Sequence, residues 1–250
     1  MRIVVTGGSG VLGTQVVHRA RELGHQVVPA SRRWGVDLST GEGLGAVLAG
    51  ADAVVHAAAN PRRSRLVDVD GTVQLLAAIA TMIVPAHLVY VSLVGCAASK
   101  APYARTKRAV ETMIEDSDLP ATIVRSTRFH PSAAFLARAM VGARRGVSRE
   151  PARPVDPAWV ASELVSHAVG ERPDGCVHAP DLAGPEMLTT DQLADAVLAH
   201  DGRAHRFLRM PGLGRARAFA TVADLPGPGA LLGGSSFGDW LGRQPLSVRR

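Results

Sequence analysis

Residues 3–13 of this chain, Ile-Val-Val-Thr-Gly-Gly-Ser-Gly-Val-Leu-Gly, constrain its fold more than any other stretch. The short apolar, β-branched run at the start predicts a buried strand, and the apolar periodicity after the glycines predicts a helix that ends at Gly24. Between strand and helix, Gly7 permits a tight turn, Gly10 lets a pyrophosphate approach the backbone, and Gly13 lets the helix pack close to the strand. The helix N-terminus adds free N–H groups that favour an anion.

This order of strand, glycine turn and helix predicts a dinucleotide-binding motif. The chain has 26 glycines, so chance spacing is the alternative, but the strand before and the helix after the turn favour binding. The predicted cofactor contacts in the turn are Thr6, Gly7, Ser9, Gly10, Val11, Leu12 and Gly13.

The next predicted strand, residues 26–30, ends in Ser31, Arg32 and Arg33. In dinucleotide-binding folds an acid at this point holds the ribose 2′-hydroxyl of NAD, whereas an arginine accommodates the 2′-phosphate of NADP. Because the segment has arginines and no acid, it favours NADP(H) over NAD(H), with a solvated basic loop as the alternative. Residues 35–38, which include Asp37 and Leu38, are predicted to form a very short third strand.

Strand-like and helix-like stretches alternate through the first half of the chain. Further strands are predicted over residues 51–57, 87–92 and 121–125, with a weak helix over 40–50, a long helix over 66–83 and another after Tyr103. This alternation indicates parallel βαβ units with right-handed crossovers. We therefore predict an α/β fold, with a Rossmann-type doubly wound parallel sheet over residues 1–127. Residues 128–250 are predicted to form a small substrate-binding segment packed on the same domain.

The C-terminal segment is less regular. Asp156 followed by Pro157 predicts the start of one helix, and a capping box from Thr189 to Gln192 predicts another. Residues 211–236 are rich in Gly, Pro and Ala and are predicted to be irregular.

Composition narrows the functional class. With 46% apolar and 20% charged residues the chain is typical of a soluble globular protein, and no apolar run approaches the ~18 residues of a membrane span. The N-terminal apolar run ends in the glycine turn and not at a cleavage site, so we interpret it as a strand and not a signal peptide. Cys96 and Cys176 make neither a disulfide framework nor a metal cluster, which favours the reducing cytoplasm.

The formal charge of +6 comes almost wholly from arginine, since Lys100 and Lys107 are the only lysines. The arginines are scattered and aromatic residues are 4% of the chain, which argues against a nucleic-acid partner. Two clusters suit an anionic cofactor or substrate: Arg62, Arg63 and Arg65, and Arg144, Arg145 and Arg149. We expect a small-molecule substrate, no membrane association, and a monomer or homodimer.

Polar residues collect at the predicted carboxyl edge of the sheet, where ligands bind in open α/β folds. The strand over residues 87–92 delivers Ser92 to this edge, and Tyr103 and Lys107, one helical turn apart, share a face. The small residues Ala57, Ala58 and Ala59 would let a cofactor lie flat over a strand end.

Two motifs resemble the short-chain dehydrogenase/reductase superfamily: Thr-Gly-x-x-Gly-x-x-Gly from Thr6 to Gly13, and Tyr-x-x-x-Lys from Tyr103 to Lys107. Residues 90–95, 119–125, 129–130 and 184–186 resemble its atypical, NmrA-like NAD(P)H-binding reductases. The resemblance, which covers nearly the whole chain, implies that Tyr103 donates its phenolic proton to a carbonyl oxygen as hydride arrives from the nicotinamide. It also implies that Lys107 lowers the pKa of that tyrosine and holds the nicotinamide ribose.

Further roles follow from the same resemblance. Ser92 would bind the substrate oxygen, Asp37 and Leu38 would contact the adenine, and Ala57, Ala58 and Ala59 would lie along the dinucleotide. In extended members the catalytic serine lies slightly beyond this point, where the chain has Leu93 and Val94, so a structural hydroxyl at Ser92 is the alternative. Asp68 replaces the Asn that often opens the Asn-x-x-Gly-Thr motif, which alters any proton relay.

The sequence thus predicts a cytoplasmic, NADP(H)-dependent oxidoreductase that reduces a carbonyl, a quinone or a related conjugated acceptor. Arg128, Phe129 and His130, with the loop of Arg62, Arg63 and Arg65, are predicted to line the substrate pocket. Two alternatives remain: an NADP-binding regulator that reduces nothing, and an epimerase or isomerase that recycles its bound cofactor.

Overall fold

A computed structural model of the chain describes residues 1–142, 149–203 and 225–245. They fall into two compact units. The first unit consists of Met1–Ser92, Ser99–Arg125 and Val160–Pro180, and the second of the described residues of Leu93–Ala98, Ser126–Trp159 and Asp181–Arg250. The second unit already includes Leu93–Ala98, and the chain returns to the first unit at Val160–Pro180, so the boundary after residue 127 stays a prediction. Arg144, Arg145 and residues 211–224 of the predicted irregular segment lie outside the described residues.

The strands are β1 (Arg2–Thr6), β2 (Gln26–Ala30), β3 (Ala53–His56), β4 (His87–Leu93), β5 (Ala121–Ser126), β6 (Pro151–Ala152), β7 (Cys176–His178), β8 (Leu182–Ala183), β9 (Leu188–Thr189) and β10 (Leu231–Leu232). The α-helices are α1 (Val11–Glu22), α2 (Leu44–Leu48), α3 (Gly71–Ala80), α4 (Pro102–Glu115), α5 (His130–Gly142), α6 (Pro157–Val169), α7 (Thr190–His200) and α8 (Phe237–Gly242). A 3₁₀ turn at Arg32–Trp34 and a π-helical turn at Arg65–Asp70 complete the helical segments described.

The first unit is built on a sheet with the strand order β2-β1-β3-β4-β5-β7. The pairs β1–β2, β1–β3, β3–β4 and β5–β7 are parallel. The central strands are continuous apolar runs because helices cover both faces of such a sheet, and Ile3, Val4 and Val5 are completely buried. This mostly parallel sheet with its helices confirms the predicted Rossmann-type fold. Strand order reverses at β1, so the crevice at the carboxyl ends of β1 and β3 is where such a fold binds ligands.

Two predicted elements differ from the structure. Residues 35–38 form no strand: Gly35 adopts a left-handed conformation at φ 71°, and Asp37 makes a single antiparallel bridge with Glu42. The Asp37 carboxylate accepts hydrogen bonds from the backbone and side chain of Ser39, so local bonds replace strand pairing there. The weak helix predicted over residues 40–50 shortens to α2, which follows Gly43 at φ 76°.

The long helix predicted over residues 66–83 consists of two parts. It begins as the π-helical turn at Arg65–Asp70 and continues as α3, which ends at Ala80. Single π-helical turns are rare and are frequent at functional sites. The turn carries Asp68, which is almost fully buried.

The second unit has its own core. Helices α5, α7 and α8 pack together through apolar side chains that include Ala134, Val197 and Phe237. Strand β6 pairs antiparallel with β9, and β8 pairs parallel with β10. The predicted capping box of Thr189 and Gln192 opens α7. No helix in the described part of the chain is long and apolar enough to cross a membrane.

Candidate functional site

The glycine turn of the first unit leaves no room for side chains at two of its three motif positions. A Cβ atom at Gly7, which has φ +68°, would lie 2.6 Å from the Cα of Ala58. A Cβ atom at Gly13 would lie 2.1 Å from the carbonyl oxygen of Gly7. At Gly10, which precedes the first residue of α1, the nearest atom to a Cβ is the same oxygen at 3.2 Å. Gly7 and Gly13 are therefore required by the packing of the turn, whereas Gly10 leaves the backbone N–H groups at the start of α1 open to an anion.

Other predicted cofactor contacts lie around this turn with different exposures. Ala58 is buried against Gly7, whereas Ala59 is exposed and Ala57 is half-buried. Val11, the first residue of α1, is 57% exposed although it is apolar. The remaining members are Ser9, which is exposed, and Leu12, which is buried in the core. The exposed members leave apolar and small surface beside the turn.

Thr6 leads into a buried chain of hydrogen bonds that the sequence did not indicate. Its hydroxyl lies 2.6 Å from Nδ1 of His56, and Nε2 of His56 lies 3.0 Å from the hydroxyl of Thr72. Thr72 donates to the carbonyl oxygen of Asp68, so His56 Nε2 acts as the donor to Thr72 and Nδ1 accepts from Thr6. Burial, with a contribution from the charge of Lys107, lowers the pKa of His56 to about 3. The neutral His56 therefore connects the glycine turn to the segment that carries Asp68.

The segment after β2 presents two arginines to solvent. Arg32 and Arg33 are exposed in the 3₁₀ turn, and the guanidinium carbon of Arg33 lies 5.9 Å from the ring centroid of Trp34, which is also exposed. Hydrogen bonds from Ser39 lower the pKa of Asp37, and the charge of Arg32 lowers it further. The Asp37 carboxylate is thus engaged with its own turn. The other predicted contacts here are Ser31, which is half-buried, and Leu38, which is buried.

Tyr103 and Lys107 lie on one face of α4, as their spacing predicts. The ammonium nitrogen of Lys107 is 5.7 Å from the ring centroid of Tyr103 and 4.9 Å from that of Tyr90. It also lies 3.5 Å from Oδ1 of Asp68 and 3.4 Å from the carbonyl oxygen of Val91. Burial raises the pKa of the Tyr103 phenol, and the charge of Asp68 and hydrogen bonding to it raise that pKa further. The structure thus adds a carboxylate to the predicted tyrosine–lysine pair.

Ser92 is buried at the end of β4, where it forms a hydrogen bond with Glu111 of α4. Glu111 also accepts hydrogen bonds from Arg125 Nε at 2.8 Å, from Arg125 Nη2 at 2.7 Å and from Arg108 at 3.1 Å. Burial alone would raise the pKa of Glu111, but the bonds from Arg125 and Ser92 and the charge of Arg125 lower it to about 2. The hydroxyl of Ser92 is therefore a donor in a charged network, which matches its alternative, structural role.

The predicted substrate-pocket residues lie partly in the second unit. His130 is completely buried there: its ring packs against Phe237 and Trp240, and its Nε2 lies 3.0 Å from the carbonyl oxygen of Ser235. This places His130 in the core of the unit, which differs from the predicted place at a substrate pocket. Phe129 and Arg128 are half-buried. In the first unit, Arg62, Arg63 and Arg65 are exposed.

Comparison with known proteins places these observations in a family. Residues 3–130 match the NAD dependent epimerase/dehydratase family. An uncharacterised protein of Mycobacterium tuberculosis is 35% identical over 91 residues, which are 32% of this chain and 11% of that protein. The photosystem II assembly factor Ycf39 of Synechocystis is 29% identical over 147 residues, or 52% of this chain and 45% of that protein. The chain therefore spans less than half the length of these curated relatives.

Solved structures show the same fold. UDP-glucose 4-epimerase of Thermus thermophilus, in complex with NAD, has a TM-score of 0.70 and 18% identity, and the match covers 91% of each chain. The dTDP-4-dehydrorhamnose reductase of Bacillus anthracis, in complex with NADP, has a TM-score of 0.67 and 17% identity, and the match covers 97% of each chain. At these identities the similarity extends to the fold alone.

Proposed function

Since this chain belongs to the NAD-dependent epimerase/dehydratase family, whose members are NAD(P)-dependent enzymes, we propose that it is an NADP(H)-dependent oxidoreductase. Its substrate is a carbonyl compound, a quinone or a related conjugated acceptor. The observation that carries this proposal is the pairing of Tyr103 with Lys107, whose ammonium lies 5.7 Å from the phenol ring centroid on one face of α4. The charge of Lys107 also acts on His56, which bonds Thr6 at the start of the glycine turn.

The residues of the first unit fit a dinucleotide. Gly10 has no side chain to cover the start of α1, and the N-terminus of that helix favours the pyrophosphate. At Gly7 and Gly13, a Cβ atom would collide with the backbone of the turn or of its neighbours. Arg32 and Arg33, both exposed after β2, suit the additional phosphate of NADP. Lys107 would hold the nicotinamide ribose.

The chemistry divides between cofactor and protein. When bound, the nicotinamide supplies a hydride. Tyr103 holds the proton that the carbonyl oxygen takes up, and general acid catalysis of this kind contributes about 10²–10⁴-fold to rate. The nearby ammonium of Lys107 stabilises the phenolate that remains after the transfer. Arg128 and Phe129, which are half-buried, are proposed as substrate-binding residues.

Titration of NADPH and NADH tests the cofactor preference. We expect tighter binding of NADPH, and we expect Arg32→Ala to weaken NADPH binding by about 1.5–3 kcal/mol, the loss of a charged hydrogen bond, with little effect on NADH. Arg21→Ala, at the far end of α1, removes the same charge from an exposed position and serves as the control. Equal affinity for the two cofactors in the wild type would contradict the preference.

A screen for NADPH oxidation with carbonyls and quinones, followed by Tyr103→Phe, tests the reaction. The variant keeps the ring and removes the proton donor, so turnover should fall by about 10²–10⁴-fold while NADPH affinity is retained. Full activity in Tyr103→Phe would remove Tyr103 from the mechanism. No oxidation of NADPH with any acceptor would contradict the oxidoreductase and favour a regulator.

An epimerase is the second candidate, and the family match and the epimerase structures of the same fold favour it. An epimerase returns the hydride to its substrate, so it consumes no cofactor overall. Incubation with UDP-glucose and NAD, with the sugar products resolved by chromatography, separates the two candidates. Product formed without net change in NAD would favour the epimerase.

A further inference from the structure

Asp68 is a buried carboxylate at the centre of the candidate site. Its side chain is 2% exposed, and that of its partner Lys107 is 6% exposed. Oδ2 accepts a hydrogen bond from the backbone N–H of Asn60 at 2.9 Å, and Oδ1 lies 3.5 Å from the Lys107 ammonium. The Asp68 carbonyl is fixed separately by the hydroxyl of Thr72. These bonds hold the carboxylate against the ammonium.

Groups from each neighbouring element define the charge around Asp68. Helix α4 contributes the ammonium of Lys107 and the phenol of Tyr103. Strand β3 contributes His56, which burial keeps neutral, and strand β4 contributes Tyr90, whose ring lies beside the same ammonium. Of these groups, Lys107 is the cation and Asp68 the anion that lie beside Tyr103.

The Asp68 carboxylate opposes the usual effect of a lysine on a neighbouring tyrosine. An ammonium near a phenol favours the phenolate, whereas a nearby carboxylate disfavours it. Because Asp68 lies 3.5 Å from the Lys107 ammonium, which itself lies 5.7 Å from the Tyr103 ring centroid, its charge offsets the ammonium and favours the protonated phenol.

We propose that Asp68 is a positioning residue that keeps the proton on Tyr103, so that Tyr103 in the resting site can still donate a proton at alkaline pH. This inference rests on the proposed function. In a reduction, a bound nicotinamide would supply the hydride for the carbonyl carbon, and the Tyr103 O–H bond would break as the substrate O–H bond forms. The phenolate then regains its proton from solvent. A site with a free tyrosinate would instead begin by taking a proton from an alcohol.

Ultraviolet titration of tyrosinate tests the inference without substrate or cofactor. The chain has only two tyrosines, so the variant Tyr90→Phe leaves Tyr103 as the sole phenol. In that background, Asp68→Asn should move the ionisation of Tyr103 to lower pH by about one to three pH units, the effect of removing a neighbouring charge. Asp70→Asn, which removes a carboxylate from the same helical turn, should leave the midpoint in place. Further replacement of Lys107→Met in the Asp68→Asn protein should move the midpoint back to higher pH.

Several outcomes would overturn the inference. They are an unchanged midpoint in Asp68→Asn, no ionisation of Tyr103 in that variant before alkaline unfolding, or an equal shift in Asp70→Asn. If Asp68→Asn does not fold, Asp68→Ser, whose hydroxyl can still accept from Asn60, should show the same downward shift, and an unchanged midpoint there counts against the inference.

The pH profile of reduction supplies the functional readout. In the wild type, kcat/KM for reduction should persist into alkaline solution, and in Asp68→Asn its alkaline limb should move down with the tyrosinate midpoint. Asp68→Glu, which keeps the charge, should restore the wild-type limb. A tyrosinate shift in a protein that oxidises no NADPH would support the role of Asp68 and contradict the proposed function. NADPH oxidation that depends on Tyr103 without such a shift would do the reverse.

Discussion

Helix α4 carries two buried charge pairs one turn apart, and they are built differently. Glu111 receives hydrogen bonds from Arg125, Arg108 and Ser92, with distances to the arginine nitrogens of 2.7–3.1 Å. Oδ1 of Asp68 lies 3.5 Å from the ammonium nitrogen of Lys107, which is longer than the ~2.7–2.9 Å of a strong charged hydrogen bond. The attraction within a buried pair repays the desolvation of its charges only when the geometry of the pair is good. We infer that the first pair serves the fold and that the second is kept for chemistry.

Removal of the Glu111 carboxylate should have the largest effect on stability. Glu111→Gln is expected to lower the free energy of unfolding by about 3 kcal/mol at neutral pH, because it leaves Arg125 without its anion, whereas Arg108 keeps its bonds to Glu115. Denaturant unfolding measures this loss. Glu42→Gln, at an exposed position, is the control and should change stability by less than about 0.5 kcal/mol.

The loss of stability in Glu111→Gln should depend on pH. The pKa of Glu111 is about 2 in the folded protein against 4.5 for a free glutamate, so its contribution is complete above 4.5 and is lost as pH falls towards 2. The stability difference between wild type and Glu111→Gln should therefore shrink over this interval. A difference that stays constant down to acid unfolding would contradict the role given to the pair.

Ser92→Ala should have an intermediate effect. It removes one hydrogen bond to a charged group, worth about 1.5–3 kcal/mol, while both arginines continue to bond Glu111. Turnover of the folded variant should be close to that of the wild type. Unfolding and kinetic assays on the same preparation separate the two roles: a large loss of turnover at unchanged stability would assign Ser92 to the substrate and blur the contrast between the pairs.

The smallest effect is expected when both members of the looser pair are removed. Asp68→Asn combined with Lys107→Met should change the free energy of unfolding by about 1 kcal/mol or less, because a buried ion pair often gives way to neutral side chains without loss. Glu111→Gln combined with Arg125→Met should remain more destabilised, since Ser92 loses its carboxylate acceptor and Arg108 is left with Glu115 alone. Similar losses of unfolding free energy in the two double variants would contradict the proposed difference between the two pairs.

The sequence predicts the elements of this region well because local patterns determine them. The apolar run before Thr6, the glycine spacing and the Tyr103–Lys107 interval each depend on neighbouring residues, and each predicted element is present in the structure. The false third strand at residues 35–38 has a local cause as well. The hydrogen bond that the Asp37 side chain accepts and the left-handed glycines both compete with strand pairing. The pattern of apolar residues contains no information about either.

The charge pairs could not be predicted in this way. Asp68 and Lys107 are separated by 39 positions in the chain, and Glu111 and Arg125 belong to different elements. His56 closes an apolar strand as its single polar residue, a signal that indicates burial but not the partners Thr6 and Thr72. Partners of this kind are set by the packing of α4 and the π-helical turn in the fold, which spacing along the chain does not encode.

The π-helical turn at Arg65–Asp70 makes the site sensitive to insertions and deletions. A π turn closes its hydrogen bond one residue later than an α turn, so the segment is equivalent to a helix with one residue inserted. Asp68 now lies three residues before Gly71. If Val69 or Asp70 were deleted, Val67 would take that position. The carboxylate would thus leave the site without any residue being substituted. In an alignment of relatives, the loss of this charge would be recorded as a gap and not as a mutation.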